Sequence, residues 1–207
     1  MKQALILDLD NTIYPVSSIA DHLFEQLFQL LDQHADGTNY ENIEAAKDEL
    51  TRRPFHLVAD KFNFGDELKK EGINLLKNIA YDLPMQPFED YHHIQSANIQ
   101  KFLVTTGFSK LQWSKVKMLG IEDDFVEIHI VDPETSEKTK KDVFADIMNR
   151  HFYTADEILV VGDDPESEIK AARELGIDTF LFDPENKHSG VNATYKAVNL
   201  RDVLHHI

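Results

Sequence analysis

An α/β fold is predicted, with a Rossmann-like parallel sheet as its core and a helical cap domain inserted after the first strand. Three observations predict it. Brief apolar runs without helical period recur at residues 4–10, 101–105, 126–131, 157–161 and 179–182. Stretches of helical period separate the later runs, and strands alternating with helices of that length are the pattern of βαβ units, with a parallel sheet covered on both faces. The alternation is suspended between Asp10 and Lys101, where the pattern reads as helix throughout.

Along the chain, Ala4-Leu5-Ile6-Leu7-Asp8-Leu9-Asp10 is too short for a helix and ends in acids, so it reads as a buried strand. Ser18 is expected to cap a helix in which Ile19, Leu23, Leu27 and Leu30 form one stripe, with Phe24 and Leu31 beside it. Further helical pattern covers 40–51 and 67–80. The insert is therefore placed at residues 16–91, and the α/β core at 1–15 and 92–207. In the core, helices are expected over 111–119, 140–151 and 169–175. Gly120 and Gly176 stand where two of them need a left-handed residue to stop.

The chain has 207 residues, 21 Lys plus Arg against 37 Asp plus Glu, and a formal net charge of -16. That surplus repels phosphate backbones and anionic lipid, which excludes a nucleic acid polymer or a membrane surface as the expected partner. A 42% hydrophobic fraction indicates a folded chain and not an acidic tail. The absence of Cys excludes disulfides, thiolate catalysis and Cys-ligated metal. The short apolar start followed at once by acids reads as neither signal peptide nor anchor, so a cytoplasmic protein, monomer or homodimer, is expected.

Ligands of open parallel sheets bind at the carboxyl ends of the strands. The polar residues there are Asp8 and Asp10, Thr105 and Thr106, and Asp163 and Asp164. Asp8 and Asp10 share a strand face, and two carboxylates held together call for a cation between them. A third acid, Asp163, would complete an oxygen-rich pocket suited to Mg²⁺ with open positions for water and a substrate phosphate. Phosphoryl transfer in such a pocket further needs a nucleophile, an acid/base, a hydrogen-bond donor and a positive side chain. Asp8, Asp10, Thr105 and Lys138 can fill those places in that order.

The string Asp8-Leu9-Asp10-Asn11-Thr12, then Val104-Thr105-Thr106-Gly107, then Lys138, then Gly162-Asp163-Asp164 followed by Glu168, resembles the four ordered motifs of the haloacid dehalogenase-like superfamily. The stretch from Val104 through Gln112 and Lys115 to Leu119-Gly120-Ile121 is similar to what these proteins carry after the second motif. The resemblance implies that Asp8 attacks phosphorus to give an aspartyl-phosphate, while Asp10 protonates the leaving alcohol and then activates water. It implies Mg²⁺ on the carboxylates of Asp8 and Asp163 and the backbone carbonyl of Asp10. It also implies that Thr105, Thr106 and Gly107 hold phosphate oxygens, that Lys138 neutralises charge, and that the insert is a mobile lid.

Asp10 separates two chemistries, because a released halide needs no proton and the dehalogenase branch lacks the second Asp. The resemblance therefore implies a phosphomonoesterase acting on a small phosphorylated metabolite over a 2-haloacid dehalogenase. Tyr14-Pro15 after the first motif is similar to the pyrimidine 5′-nucleotidase branch; sugar phosphates and phosphoglycolate are the alternative substrates. The family's Lys-Pro is Lys138-Thr139 here, its usual Asn is Thr106, and its final Asp is Glu168. Lys140 and Lys141 stand in the same solvated run as Lys138 and are alternative charge partners, and Asp164 reads as a helix cap. Arg52 and Arg53 read first as a solvated pair and second as an anion contact. A phospho-accepting receiver domain is disfavoured by the insert and by the Asp-x-Asp spacing, and a degenerate ligand-binding relative is the other non-enzyme reading.

Overall fold

A computed structural model describes residues 1–35 and 40–207. Six parallel strands form one sheet: β1 (Ala4–Leu7), β2 (Gln100–Thr106), β3 (Glu127–Val131), β4 (Ile158–Gly162), β5 (Asp178–Phe182) and β6 (Tyr195–Ala197), in the order β3-β2-β1-β4-β5-β6. β1 lies in the middle, with Ala4 opposite Gln100 on one side and Ile158 on the other. It is apolar at every position because both of its faces are covered.

Alternate residues feed two cores. Leu5, Leu7, Leu103, Leu159, Val161 and Phe180 face one side, where they pack with α6 (Tyr91–Ser96), α7 (Ser109–Leu119) and the insert. Ala4, Ile6, Phe102, Val104, Ile158 and Val160 face the other side, against α8 (Lys140–His151) and α9 (Glu168–Glu174). Gly120 and Gly176 have φ of 66° and 73°, the left-handed values expected of helix stops.

The insert is helical, with α1 (Ala20–Leu23), α2 (Glu25–Gln33), α3 (Tyr40–Leu50), α4 (Phe55–Lys61) and α5 (Asp66–Leu76). Its first helix differs from the expectation. Ser18 caps nothing; it closes a 3-10 turn, its hydroxyl donating to Pro15 O at 2.7 Å, and the helix breaks at Phe24 before resuming. Ile19, Leu23 and Leu27 of the expected stripe are buried, but past the break at Phe24 it is Leu31 that is buried and Leu30 is only partly so. The returning chain is tied to the end of the first strand segment by Phe88 N–H donating to Ile13 O, 2.8 Å. No described helix is long and apolar enough to cross a membrane.

Candidate active site

The strand order reverses between β1 and β4, and the crevice at such a switch point is where α/β sheets bind ligands. Asp8 follows β1 and Asp163 follows β4, so the two acids meet there. One oxygen from each of Asp8, Asp163 and Glu168 lies within 4.8 Å of the others, the acid group among the described residues that could hold a metal ion. The donors are all hard carboxylate oxygens, those of Asp8 and Glu168 buried and that of Asp163 partly exposed, and three like charges at that spacing outnumber the single ammonium of Lys140 beside them. That donor chemistry fits Mg²⁺.

Glu168 belongs to this group because α9 begins on it and its side chain turns back under the strand end. Its Oε1 accepts the Asp164 N–H at 2.7 Å. The close approach requires a glycine at 162: a Cβ built there would stand 2.2 Å from Glu168 Cγ. Asp163 Oδ1 accepts from Thr12 Oγ1 at 3.1 Å. Asp164 does not cap α9; its carboxylate accepts Glu166 N–H at 2.8 Å and shapes the turn before the helix.

The positive group beside Asp8 is Lys140, and Lys138 is not. Lys140 Nζ donates to Asp8 Oδ1 and to Glu168 Oε2, each at 2.7 Å, with side-chain exposures of 7%, 9% and 1% for the three residues. Lys138 is exposed, and its backbone N–H goes to Ser136 Oγ. The cause is the helix start. Thr139 is the N-cap of α8 in a capping box with Asp142, which leaves Lys138 outside the helix and makes Lys140 its first residue. Lys140 then stands on the buried stripe with Val143, Phe144 and Ile147, at the i, i+3, i+4 and i+7 spacing of a core-facing helix. That spacing was the signal in the sequence that distinguished the two lysines.

Asp10 is placed apart from the acid cluster. Its Oδ1 accepts Lys115 Nζ at 2.8 Å and the Tyr14 hydroxyl, and its Oδ2 accepts Gln112 Nε2 at 2.9 Å. Gln112 Nε2 also donates to Thr105 Oγ1 at 2.7 Å. These surroundings push the carboxyls apart. Burial drives Asp8 up to about 7, with Lys140 opposing and Glu168 adding to the rise. Burial and the charges of Glu168 and Asp8 hold Asp163 well above the usual carboxylate range. Burial would raise Asp10 too, but Lys115, Tyr14 and Gln112 outweigh it and its carboxyl lies below the usual range. Lys140 stays charged: Asp8 and Glu168 overcome the burial that would discharge it.

These groups line a cavity of 130 Å³, with Thr105, Thr106 and Gly107 on one wall. The Gly107 N–H is already given to Val131 O at 3.2 Å, so Gly107 contributes a wall and not that donor. The insert closes the other side with Val16, Phe24, Leu50 and Phe55. Asn11, left-handed at φ 56°, joins the two: its Nδ2 donates to Thr51 O at 3.1 Å and its Oδ1 accepts Val16 N–H at 3.0 Å. Arg52 and Arg53 border the cavity but are half exposed and paired with Asp48 at 3.7 Å and Glu49 at 3.2 Å.

A family model described as haloacid dehalogenase-like hydrolase matches residues 2–176. The chain is 23% identical to glyceraldehyde 3-phosphate phosphatase of Methanopyrus kandleri over 201 residues, 86% of this chain and 83% of that protein. It is 28% identical to ribulose-1,5-bisphosphate 5-phosphatase of Halopiger xanaduensis over 120 residues, 58% of this chain, and there spans only 50% of the relative's length. Among solved structures, the HAD-hydrolase YfnB of Bacillus subtilis, bound to magnesium, superposes with a TM-score of 0.69 at 20% identity, covering 99% of this chain and 97% of that one. L-2-haloacid dehalogenase of Xanthobacter autotrophicus superposes at 0.62 with 13% identity over 98% of this chain and 97% of that one.

Proposed function

The chain belongs to the haloacid dehalogenase-like hydrolases, and from that premise we propose that it is a Mg²⁺-dependent phosphomonoesterase acting on a small sugar or triose phosphate. The observation that carries this reading is the cluster of Asp8, Asp163 and Glu168 with Lys140 bridging Asp8 and Glu168, while Asp10 is held separately at hydrogen-bonding distance from Lys115 and Gln112. Asp8 attacks phosphorus as the ester P–O bond breaks, and Asp10, an ionised carboxylate at rest, hands on to the leaving alcohol a proton it has first taken up from solvent. Water then attacks the aspartyl-phosphate, giving its proton to Asp10 as the Asp8 O–P bond breaks. Thr105 Oγ donates to a phosphate oxygen, and Lys140 offsets the charge that builds beside Asp8. Asp8 and Asp163, with Glu168 beside them, are the residues to hold Mg²⁺, which would supply Lewis-acid polarisation of the phosphoryl oxygens. The insert, residues 16–91, serves as the cap over the core formed by 1–15 and 92–207.

Substrate size favours the triose class. The cavity, 130 Å³, is well below the roughly 300–1,000 Å³ of sites for drug-sized ligands. Two relatives named above act on phosphorylated sugars, and none of them is a nucleotidase. Tyr14, which carries the likeness to pyrimidine 5′-nucleotidases, is fully buried with its hydroxyl on Asp10. Asp10 itself favours ester hydrolysis over dehalogenation, since an alkoxide needs a proton and a halide does not.

The test is phosphate release from glyceraldehyde 3-phosphate, ribulose bisphosphate, phosphoglycolate, UMP and CMP, with Mg²⁺ and with EDTA. Sugar phosphates are expected to turn over in Mg²⁺ alone, and Asp8→Asn, which keeps shape but removes the nucleophilic oxygen, is expected to abolish turnover in a folded chain. Undiminished turnover by Asp8→Asn overturns the mechanism, and selective cleavage of UMP or CMP overturns the substrate class.

A further inference from the structure

We propose that Gln112 and Lys115 are positioning residues that fix the acid/base carboxylate of Asp10 and couple it to the phosphate-binding hydroxyl of Thr105. The proposal rests on the phosphatase reading above. Residues 112 and 115 lie three apart on α7 and so share a face of the helix. That face turns beneath the loop after β1, and both side chains are buried. An amide and an ammonium are costly at such positions unless every polar atom is satisfied. Here the Gln112 NH₂ is satisfied by Asp10 and Thr105, and the Lys115 ammonium is paired with Asp10.

The hydrogen-bond directions follow from the chemistry of the groups. A carboxylate only accepts, so the amide group facing Asp10 Oδ2 at 2.9 Å is the Gln112 NH₂. Its second hydrogen goes to Thr105 Oγ1 at 2.7 Å. Thr105 Oγ1 is thereby the acceptor of that bond, and its own hydrogen is directed to another acceptor. Thr105 lines the cavity, so an oxygen of a bound phosphate would be that acceptor. One amide thus sets the carboxylate of Asp10 and the donor direction of Thr105 together.

Lys115 Nζ and the Tyr14 hydroxyl both donate to the other oxygen, Asp10 Oδ1, and Lys115 Nζ lies 6.0 Å from the centre of the Tyr14 ring. Donors on both oxygens prevent the carboxylate from turning about its Cβ–Cγ bond. Such restraint matters because a proton moves efficiently only between groups already within hydrogen-bond reach. Neither Gln112 nor Lys115 is changed by the reaction. In the first step the proton passes from Asp10 to the ester oxygen, and in the second it passes from water to Asp10.

The two roles are separable by leaving group. An alkoxide leaving from glyceraldehyde 3-phosphate requires the proton of Asp10, whereas p-nitrophenolate leaves without it. With general acid–base catalysis worth about 10²–10⁴-fold, a misplaced acid should lose roughly 10- to 100-fold selectively. Gln112→Met and Lys115→Met are expected to lower kcat/KM for glyceraldehyde 3-phosphate by that factor more than for p-nitrophenyl phosphate. In an Asp10→Asn background Lys115→Met should add little, since residues acting through one group are not additive, whereas Gln112→Met should keep the part of its loss that passes through Thr105 and is shared by both esters. Lys115→Arg should recover part of the alkyl-ester rate. Gln112→Met removes no charge, so it carries the test if Lys115→Met does not fold. Equal losses on the two esters, or a fully additive loss by Lys115→Met in the Asp10→Asn background, overturn the coupling alone. Absence of phosphate release from either ester by the wild-type chain overturns the phosphatase reading and the coupling with it.

Discussion

Replacing Lys140 with Met removes an ammonium group that lies 2.7 Å from Asp8 Oδ1 and 2.7 Å from Glu168 Oε2, and leaves both carboxylates buried without it. Breaking a buried ion pair from one side costs about 3–5 kcal/mol. For a chain of this size each kcal/mol moves Tm by about 2–4 °C, so Lys140→Met is expected to lower Tm by roughly 6–20 °C in EDTA. Asp8 makes the loss depend on pH. Burial pushes its carboxyl from 3.8 up to about 7, so between those values the folded chain holds a proton that the unfolded chain has released. Stability of the metal-free chain therefore falls as pH rises through that window. Without Lys140 the opposing pull is gone and the window extends upward, so the deficit should grow from about pH 5 to about pH 8. The assay is thermal unfolding by calorimetry at both pH values, with EDTA and with Mg²⁺, on Lys140→Met and on Lys138→Met. The exposed Lys138 should change stability by no more than about 0.5 kcal/mol. Equal effects at the two positions, or an unchanged Tm in Lys140→Met, refute the assignment of Lys140 as the charge partner.

Two further outcomes are expected from the same site. Metal ligands must be deprotonated, and burial raises both Asp8 and Asp163, so Mg²⁺ affinity measured by titration calorimetry should weaken as pH falls through about 7; affinity constant down to about pH 5.5 contradicts this. Gly162→Ala places a Cβ 2.2 Å from Glu168 Cγ and Oε1, which must move Glu168 away from Lys140. The clash should cost about 1–3 kcal/mol and most of the phosphate release while circular dichroism stays near wild type; full activity in the folded variant shows that Glu168 is not needed where it stands.

The features legible in the sequence are those with a physical signature of their own. Strands β1, β2, β4 and β5 are largely buried on both faces, so each holds a brief apolar run that ends at a polar residue. β6, Tyr195-Lys196-Ala197, is an edge strand three residues long with no residue fully buried, and no run marks it. The short helices α4 and α6 lie in the stretch that reads as helix throughout, but no stripe of their own marks their bounds. Ser18 fails as a cap because Pro15 O captures its hydroxyl in a tighter turn. At the third motif the spacing of charge alone leaves three lysines equivalent. Only the register of α8, set by the Thr139–Asp142 capping box, separates the lysine that faces the core from those that face water. The bonds of Gln112 to Asp10 and Thr105 join residues 102 and 7 positions apart, and no local pattern encodes the first of these.

The charge of -16 and the charge of the site pose the same question at two scales. Asp8, Asp10, Asp163 and Glu168 face the buried ammonium groups of Lys115 and Lys140, so four acids meet two bases and the site is itself negative when all are ionised. A phosphate dianion brought to that arrangement meets repulsion on the Asp8 side, where Lys140 is shared with Glu168, and attraction mainly from the Thr105 wall. A divalent cation among Asp8, Asp163 and Glu168 would bring the site to neutrality. Substrate binding should then depend on Mg²⁺ in KM as well as in kcat. The wider surplus of acids does not set the field inside a cavity of 130 Å³, where the nearest charges are a few ångströms off and are screened little by salt.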